Sequence, residues 1–195
     1  EWERPVHITF FETDGTVALS QDAGVRIHGG AMRALPQKSL RLYARAGYGQ
    51  REFDCPFFPG YPFDQFRRLI LRASGNDNSQ TMFRDAMIQQ VVGHLRFDTQ
   101  AYRPLIVFLN GEYWGIHNLR ERYDKYYLEQ IYGVDPDEVD ILTFPQGNHL
   151  EVKEGRADHY VETINYIETH GLSDPEHYAH IKTRIDIDNF IDYNV

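Results

Sequence analysis

A lysine at the mouth of one strand and a carboxylate at the end of another are the residues here with most to offer chemistry. Lys38 follows the run Val25-Arg26-Ile27-His28-Gly29-Gly30 and leads into Ser39-Leu40-Arg41, so a glycine-containing turn connects two strands and sets an ammonium at the entry to the second. Phosphotransferases use a strand-borne lysine to grip nucleotide phosphates, and glycines let the backbone approach them. The pattern alone is weak, because most strand lysines are solvated and short motifs match by chance. Glu121 follows a strand and is flanked by Arg120 and Arg122. A carboxylate so placed can hold a lysine across a sheet, or can form a surface ion pair worth at most ~1 kcal/mol.

Two further segments carry polar residues that serve no apolar face. Ser74-Gly75-Asn76-Asp77-Asn78-Ser79 runs into a helix whose first turn holds Arg84 and Asp85. Free N–H groups at a helix start attract an anion, while Asp77, Ser79 and Asp85 suit capping of that same start. Asp186, Asp188 and Asp192 are dense near Val195. Their hard oxygens fit magnesium, but Asp186 and Asp188 precede apolar residues as helix caps do, and capping is the stronger reading. The nine histidines show no HxH or HExxH spacing, and GxSxG, GxGxxG and GxxxxGKS/T are absent. Zinc hydrolysis, a serine nucleophile elbow and the common nucleotide loops therefore have no foothold.

The elements that must position these groups fall into two parts. Val6–Phe11 alternates before the turn Asp14-Gly15, and Gly24–His28 and Ser39–Ala44 read as strands that alternate large apolar and basic residues. The segment 53–62, rich in Pro, Gly and aromatics, is expected to pack its rings on the sheet. Arg68–Arg72 is too short an apolar run for a helix. Thr81–Leu95 places Phe83, Met87, Ile88, Val91 and Leu95 on one helical stripe, with Ser79 as its cap. Asn110-Gly111, between strands 105–109 and 113–119, is the strongest hairpin signal in the chain. From Asp124 onward the pattern is helical: 125–132 ending at Gly133, 157–170 ending at Gly171, a helix opened by Asp174-Pro175, and another near Asp188. The expectation is an α+β fold in one domain, β-rich with one helix over 1–123 and mainly helical over 124–195.

The 195 residues are 42% hydrophobic and 25% charged, as in folded globular chains. A formal charge of −9 argues against wrapping nucleic acid. No apolar run is long enough to span a membrane, and Cys55 alone allows no internal disulfide. Glu1–Pro5 lacks the features of a signal peptide, which suits a chain that begins inside a longer precursor.

Taken in order, VRIHGGAMRALPQKSLRLYAR, LILRASGNDNSQTMFRDAM, RPLIVFLNGEYWGIHNLRERYD and IDIDNFIDYNV resemble the CotH kinase family, named from a bacterial spore-coat protein. The resemblance covers essentially the whole chain and is most specific in NGEYWG with its trailing Glu and in GND…FRDA. It implies an atypical protein-kinase-like fold, ATP and magnesium as cofactors, and phosphate transfer to Ser or Thr of a protein substrate. Lys38 then resembles the phosphate-gripping lysine and Glu121 the carboxylate that orients it, while Arg26, Asn76, Asp77 and Arg84 match family positions on the nucleotide side. The family's catalytic and metal-binding acids are expected beyond Val195, so this chain is expected to be inactive by itself, with no metal ligand of its own. The turn HGGAMRALPQKS departs from the more basic, Ser-containing loop of spore-coat members. Family members are frequently exported or placed on cell or spore surfaces, which is the localisation implied, and exposed apolar surface would permit a homo-oligomer. The alternative is a kinase-like scaffold without catalysis, a surface or carbohydrate-associated module whose Tyr and Trp rings stack on sugars.

Overall fold

A computed structural model of the chain describes residues 2–145 and 149–195, and within them it divides into two compact units. The first comprises the segments through Val91 and Thr99–Arg122; the second comprises Val92–Asp98 and Tyr123–Val195. The architecture is mixed α/β, an antiparallel sheet with helices toward the C-terminus, as the α+β expectation required.

The first unit is built on six antiparallel strands: β1 (Arg4–Phe11), β2 (Val17–His28), β3 (Ser39–Tyr43), β6 (Arg68–Arg72), β8 (Glu112–Glu121) and β7 (Tyr102–Leu109), adjacent in that order. A small ribbon of β4 (Phe53–Asp54) and β5 (Gln65–Phe66) interrupts the numbering. Residues directly opposite one another in such a ladder share a face, and alternate residues along a strand change face. Leu42 lies opposite Leu69, and Leu69 opposite Glu121; Leu40, Leu71 and Leu119 form the next row. This is the core face. The aromatic segment 53–66 closes it, with Phe53, Phe57, Phe58 and Phe66 buried against Leu19, Leu42, Leu69 and Leu119. Phe57 meets Phe10 edge-on with ring centroids 5.2 Å apart, and Phe58 meets Phe66 likewise at 5.4 Å. Aromatic pairs favour this geometry because ring edges are positive and faces negative. The ring packing anticipated for this connection is therefore present.

Asn110 and Gly111 take φ of 52° and 83°, the left-handed pair that a tight hairpin between β7 and β8 needs. Trp114 is an extra residue in β8, since Val107 faces Gly115 while Phe108 faces Tyr113. At this bulge Gly115 has φ 109°, and a Cβ there would stand 2.6 Å from Gln37 Nε2. The missing side chain lets Gln37 reach in and donate to the Ile116 carbonyl at 2.8 Å, which ties the loop before β3 to β8.

The helix anticipated at 81–95 is shorter: α1 spans Arg84–Val92. Ser79 does not cap it. The Asp77 carboxylate accepts from Thr81 Oγ1 at 2.5 Å and from the Arg84 amide at 3.0 Å, and Met82 sits at φ 63°, which no helix contains. A carboxylate is the stronger acceptor at a helix N-terminus, and it draws the start of the helix past the unwound Met82. The stripe expected to be core is also turned outward, for Phe83, Met87, Ile88 and Val91 are exposed and Ala86 is the buried residue.

The second unit holds α2 (Lys125–Tyr132), α3 (Asp158–Thr169), α4 (Pro175–Lys182), α5 (Ile187–Asn194) and a two-stranded ribbon, β9 (Ile141–Thr143) with β10 (Glu151–Glu154), which the helical reading of this part did not include. Each of three helices begins at an aspartate. Asp124 accepts from the amides of Tyr126 and Tyr127, Asp174 from Glu176 and Asp186 from Asn189. Gly133 closes α2 at φ 67°. Asp188 is not a cap. It meets Arg96 at 2.5 Å, while Asp192 accepts from the Arg96 amide at 2.8 Å and Asn189 donates to the Arg96 carbonyl at 2.6 Å. The acidic stretch therefore clasps the segment 92–98 within this unit. Among the described residues no helix is long and apolar enough to cross a membrane.

Candidate functional site, an arginine-lined face of the sheet

The sheet's other face follows from the same register. Arg26 lies opposite Arg41 and His28 opposite Ser39; Arg41 lies opposite Ile70, and Ile70 opposite Arg120. Tyr43 faces Arg68, and Arg72 faces Asn118. Arginines of four strands thus share one surface, the side away from the aromatic core.

Like charges this close repel, so something must hold them. Tyr43, almost wholly buried, is the hub: Arg26, Arg45, Arg68 and Arg122 stand 5.1, 4.8, 5.6 and 5.8 Å from its ring centroid. The negative face of an aromatic ring attracts guanidinium groups at this range. Arg122 also donates to the Tyr43 hydroxyl at 3.2 Å. Two carboxylates answer part of the charge. Glu3 meets Arg26 at 2.8 Å and Arg45 at 3.2 Å, in room left by Gly24, where a Cβ would stand 2.5 Å from Glu3 Oε1. Those arginines and the Tyr48 hydroxyl hold the Glu3 carboxyl below its ordinary value against the opposing effect of burial, the largest single influence on it. Asp85 of α1 meets Arg120 at 2.7 Å and Arg72 at 3.6 Å.

Positive potential remains, and His28 registers it. Its Nδ1 accepts from Arg41 Nε at 2.7 Å, which places the ring proton on Nε2. Burial, then the charges of Arg41, Arg72, Arg122 and Arg33, push its pKa down to about 4, so the imidazole is neutral at physiological pH.

Over the β6–β8 end of this face lies the loop before α1. Ser74 has φ 60° and Met82 φ 63°, unfavourable for residues with side chains. Asn118 pins both, donating to Ser74 Oγ at 3.0 Å and to the Met82 carbonyl at 2.8 Å. Arg72, Ser74, Asp77, Asp85, Asn118 and Arg120 line a tight crevice there.

The residues singled out from the sequence are distributed unevenly over this frame. Arg26 lies on the arginine face. Asp77 and Arg84 come together at 3.3 Å at the start of α1, where hydrogen bonding, led by Thr81, holds the Asp77 carboxyl below its ordinary pKa. Asn76 is exposed on the same loop. Lys38 and Glu121, expected to pair, are engaged apart. Lys38 Nζ donates to the carbonyls of Arg33 and Leu35, both at 2.6 Å, closing the turn 31–34. Glu121 is buried on the core face, accepting from the Tyr61 hydroxyl and from the Ala101 amide at 2.8 Å. The register explains the separation: the Lys38 carbonyl lies against His117 Nε2 at 3.0 Å, and Glu121 is four residues further along β8, a run of ~13 Å.

His28, Arg41, Arg72, Arg120, Arg122 and Tyr43 were not singled out in the sequence. The signal was present as alternating basic residues in VRIH, SLRLY, RLILR and NLRER, each of which reads alone as a half-solvated strand.

An antiparallel sheet with one aromatic core face and one arginine face defines a mixed α/β protein suited to oxyanions, because guanidinium forks match carboxylate and phosphate oxygens. The chain belongs to the CotH kinase family: the sequence model described as CotH kinase protein matches residues 25–195. No curated protein matches the chain.

Proposed function

We propose that this chain supplies the nucleotide-gripping part of an ATP-dependent protein phosphotransferase, with the arginine face holding the phosphates. The carrying observation is the cluster of guanidinium groups that share one sheet face and surround a histidine kept neutral. In this reading Arg26, Arg41, Arg72 and Arg122 meet phosphate oxygens, and Asn76, Asp77 and Arg84 shape the loop beside them. Lys38 acts by holding the glycine turn 29–37 in shape, and Glu121 by fixing the end of β8 from the core side. The transfer itself would proceed by attack of a Ser or Thr hydroxyl oxygen on the γ-phosphorus. The bond to the β–γ bridging oxygen breaks, ADP leaves, and the hydroxyl proton is released. In this reading magnesium enters with ATP, as part of the substrate. A protein acceptor and an exported or surface setting belong to the same proposal.

Isothermal calorimetry with MgATP tests the reading directly. Binding by the folded chain, weakened tenfold or more in Arg72→Gln and less in Lys38→Ala, is the expected result. No heat with MgATP from a chain with native circular dichroism overturns it, and glycan binding in place of nucleotide binding establishes the non-catalytic carbohydrate module instead.

A further inference from the structure

On the reading that the arginine face holds phosphoryl oxygens, one member of that face does more than add a contact. We propose that His28 couples oxyanion binding to proton uptake: a doubly negative oxyanion enters the arginine cluster together with one proton, which His28 takes on Nδ1.

His28 Nδ1 is the acceptor for Arg41 Nε–H at 2.7 Å. A protonated imidazole has no lone pair left. Protonation of His28 and its bond from Arg41 therefore exclude one another, and Arg41 Nε–H must turn to a different acceptor when the proton arrives. An oxyanion offers that acceptor. The charges that face His28 come from every element around it: Arg33 from the turn after β2, Arg41 from β3, Arg72 from β6 and Arg122 after β8. Together with burial they hold the ring neutral, with a pKa near 4. A dianion placed among the same guanidinium groups cancels the repulsion that keeps the proton away and adds its own attraction for the imidazolium. Binding and protonation then reinforce each other, and linkage makes the effect reciprocal: oxyanion affinity rises as pH falls. The window lies between the free and the bound pKa, below about 6.5 and above about 4.

Sulfate is the probe of choice, since its charge does not change over this range; inorganic phosphate and MgATP form parallel arms that separate a general oxyanion site from a nucleotide site. All titrations use matched ionic strength. The first measurement is the His28 imidazole resonance of the folded chain across pH 4–8, with and without sulfate. The expected result is a His28 pKa that rises to about 6.5 on saturation, and sulfate binding about tenfold tighter at pH 5.5 than at 7.5. Calorimetry in two buffers of different ionisation enthalpy should report uptake of close to one proton at pH 5.5. His28→Asn, checked for native circular dichroism, should bind sulfate equally at both pH values; His28→Gln serves if that variant fails to fold. Sulfate binding with an unmoved His28 titration and no proton uptake overturns the coupling while leaving the phosphate reading intact. Absence of sulfate, phosphate and MgATP binding at either pH overturns both.

Discussion

The two faces of the six-stranded sheet come from the same strands, one residue apart. On one side, Leu42, Leu69 and Leu119 meet a ring cluster that excludes water; on the other, Arg41, Arg72 and Arg122 surround His28 and Tyr43. A strand such as SLRLY thus encodes two surfaces at once, and its stability and its chemistry are separable by parity. Core-face residues should be costly to remove without changing any ligand preference. Arginine-face residues should be cheap to remove, because like charges crowd there, yet decisive for anions.

The contrast can be broken most forcefully at Phe53, which has no exposed surface. Phe53→Ala should cost about 3–5 kcal/mol in urea unfolding, from lost transfer energy and the cavity left behind. A loss below ~1 kcal/mol would mean that the aromatic segment is not the true cover of the core face.

Acid should attack the other face next. His28 has its folded-state pKa depressed from 6.5 to about 4, so the unfolded chain binds the proton more readily. Its contribution to stability is present above pH 6.5 and is lost as pH falls toward 4, by roughly 2–3 kcal/mol. Chemical denaturation at pH 7 and pH 4.5 should show most of this decline in the native chain, and His28→Asn should flatten it.

A smaller effect belongs to the loop that overlies the arginine face. Asp77→Ala removes the acceptor for Thr81 and the Arg84 amide and should cost about 1–2 kcal/mol, read by thermal unfolding. Because this carboxyl is held below its ordinary pKa, its contribution is present above the unfolded value near 4 and fades as pH falls through the folded one.

Arg72→Gln should move stability least. Its partner Asp85 is retained by Arg120, and one like charge leaves the cluster. Unfolding should shift by less than about 1 kcal/mol in either direction, while MgATP affinity falls tenfold or more. A large stability loss with unchanged nucleotide binding would make this arginine structural.

Much of the local structure was legible in the residues. Asn110-Gly111 specified its hairpin, Gly133 and Asp174-Pro175 marked helix ends, and the rings of 53–62 announced packing on the sheet, because each signal acts within a few residues. The site was legible only in part. Lys38 stood out by type and context, yet its ammonium satisfies two carbonyls of its own turn. Asp77 displaced Ser79 as cap because a carboxylate can reach several donors in a loop whose path the sequence does not give.

Alternation along the strands and the places where the chain turns follow from the residues alone, since backbone preference and side-chain period are local properties. The tertiary structure alone decided that β6 lies between β3 and β8 and in what register. Register is set by the fit of distant strands into one core, and a shift by a single residue would send every arginine to the opposite face. That choice gathered the guanidinium groups around His28 and Tyr43, and it set the Lys38 carbonyl against His117, four residues along β8 from Glu121.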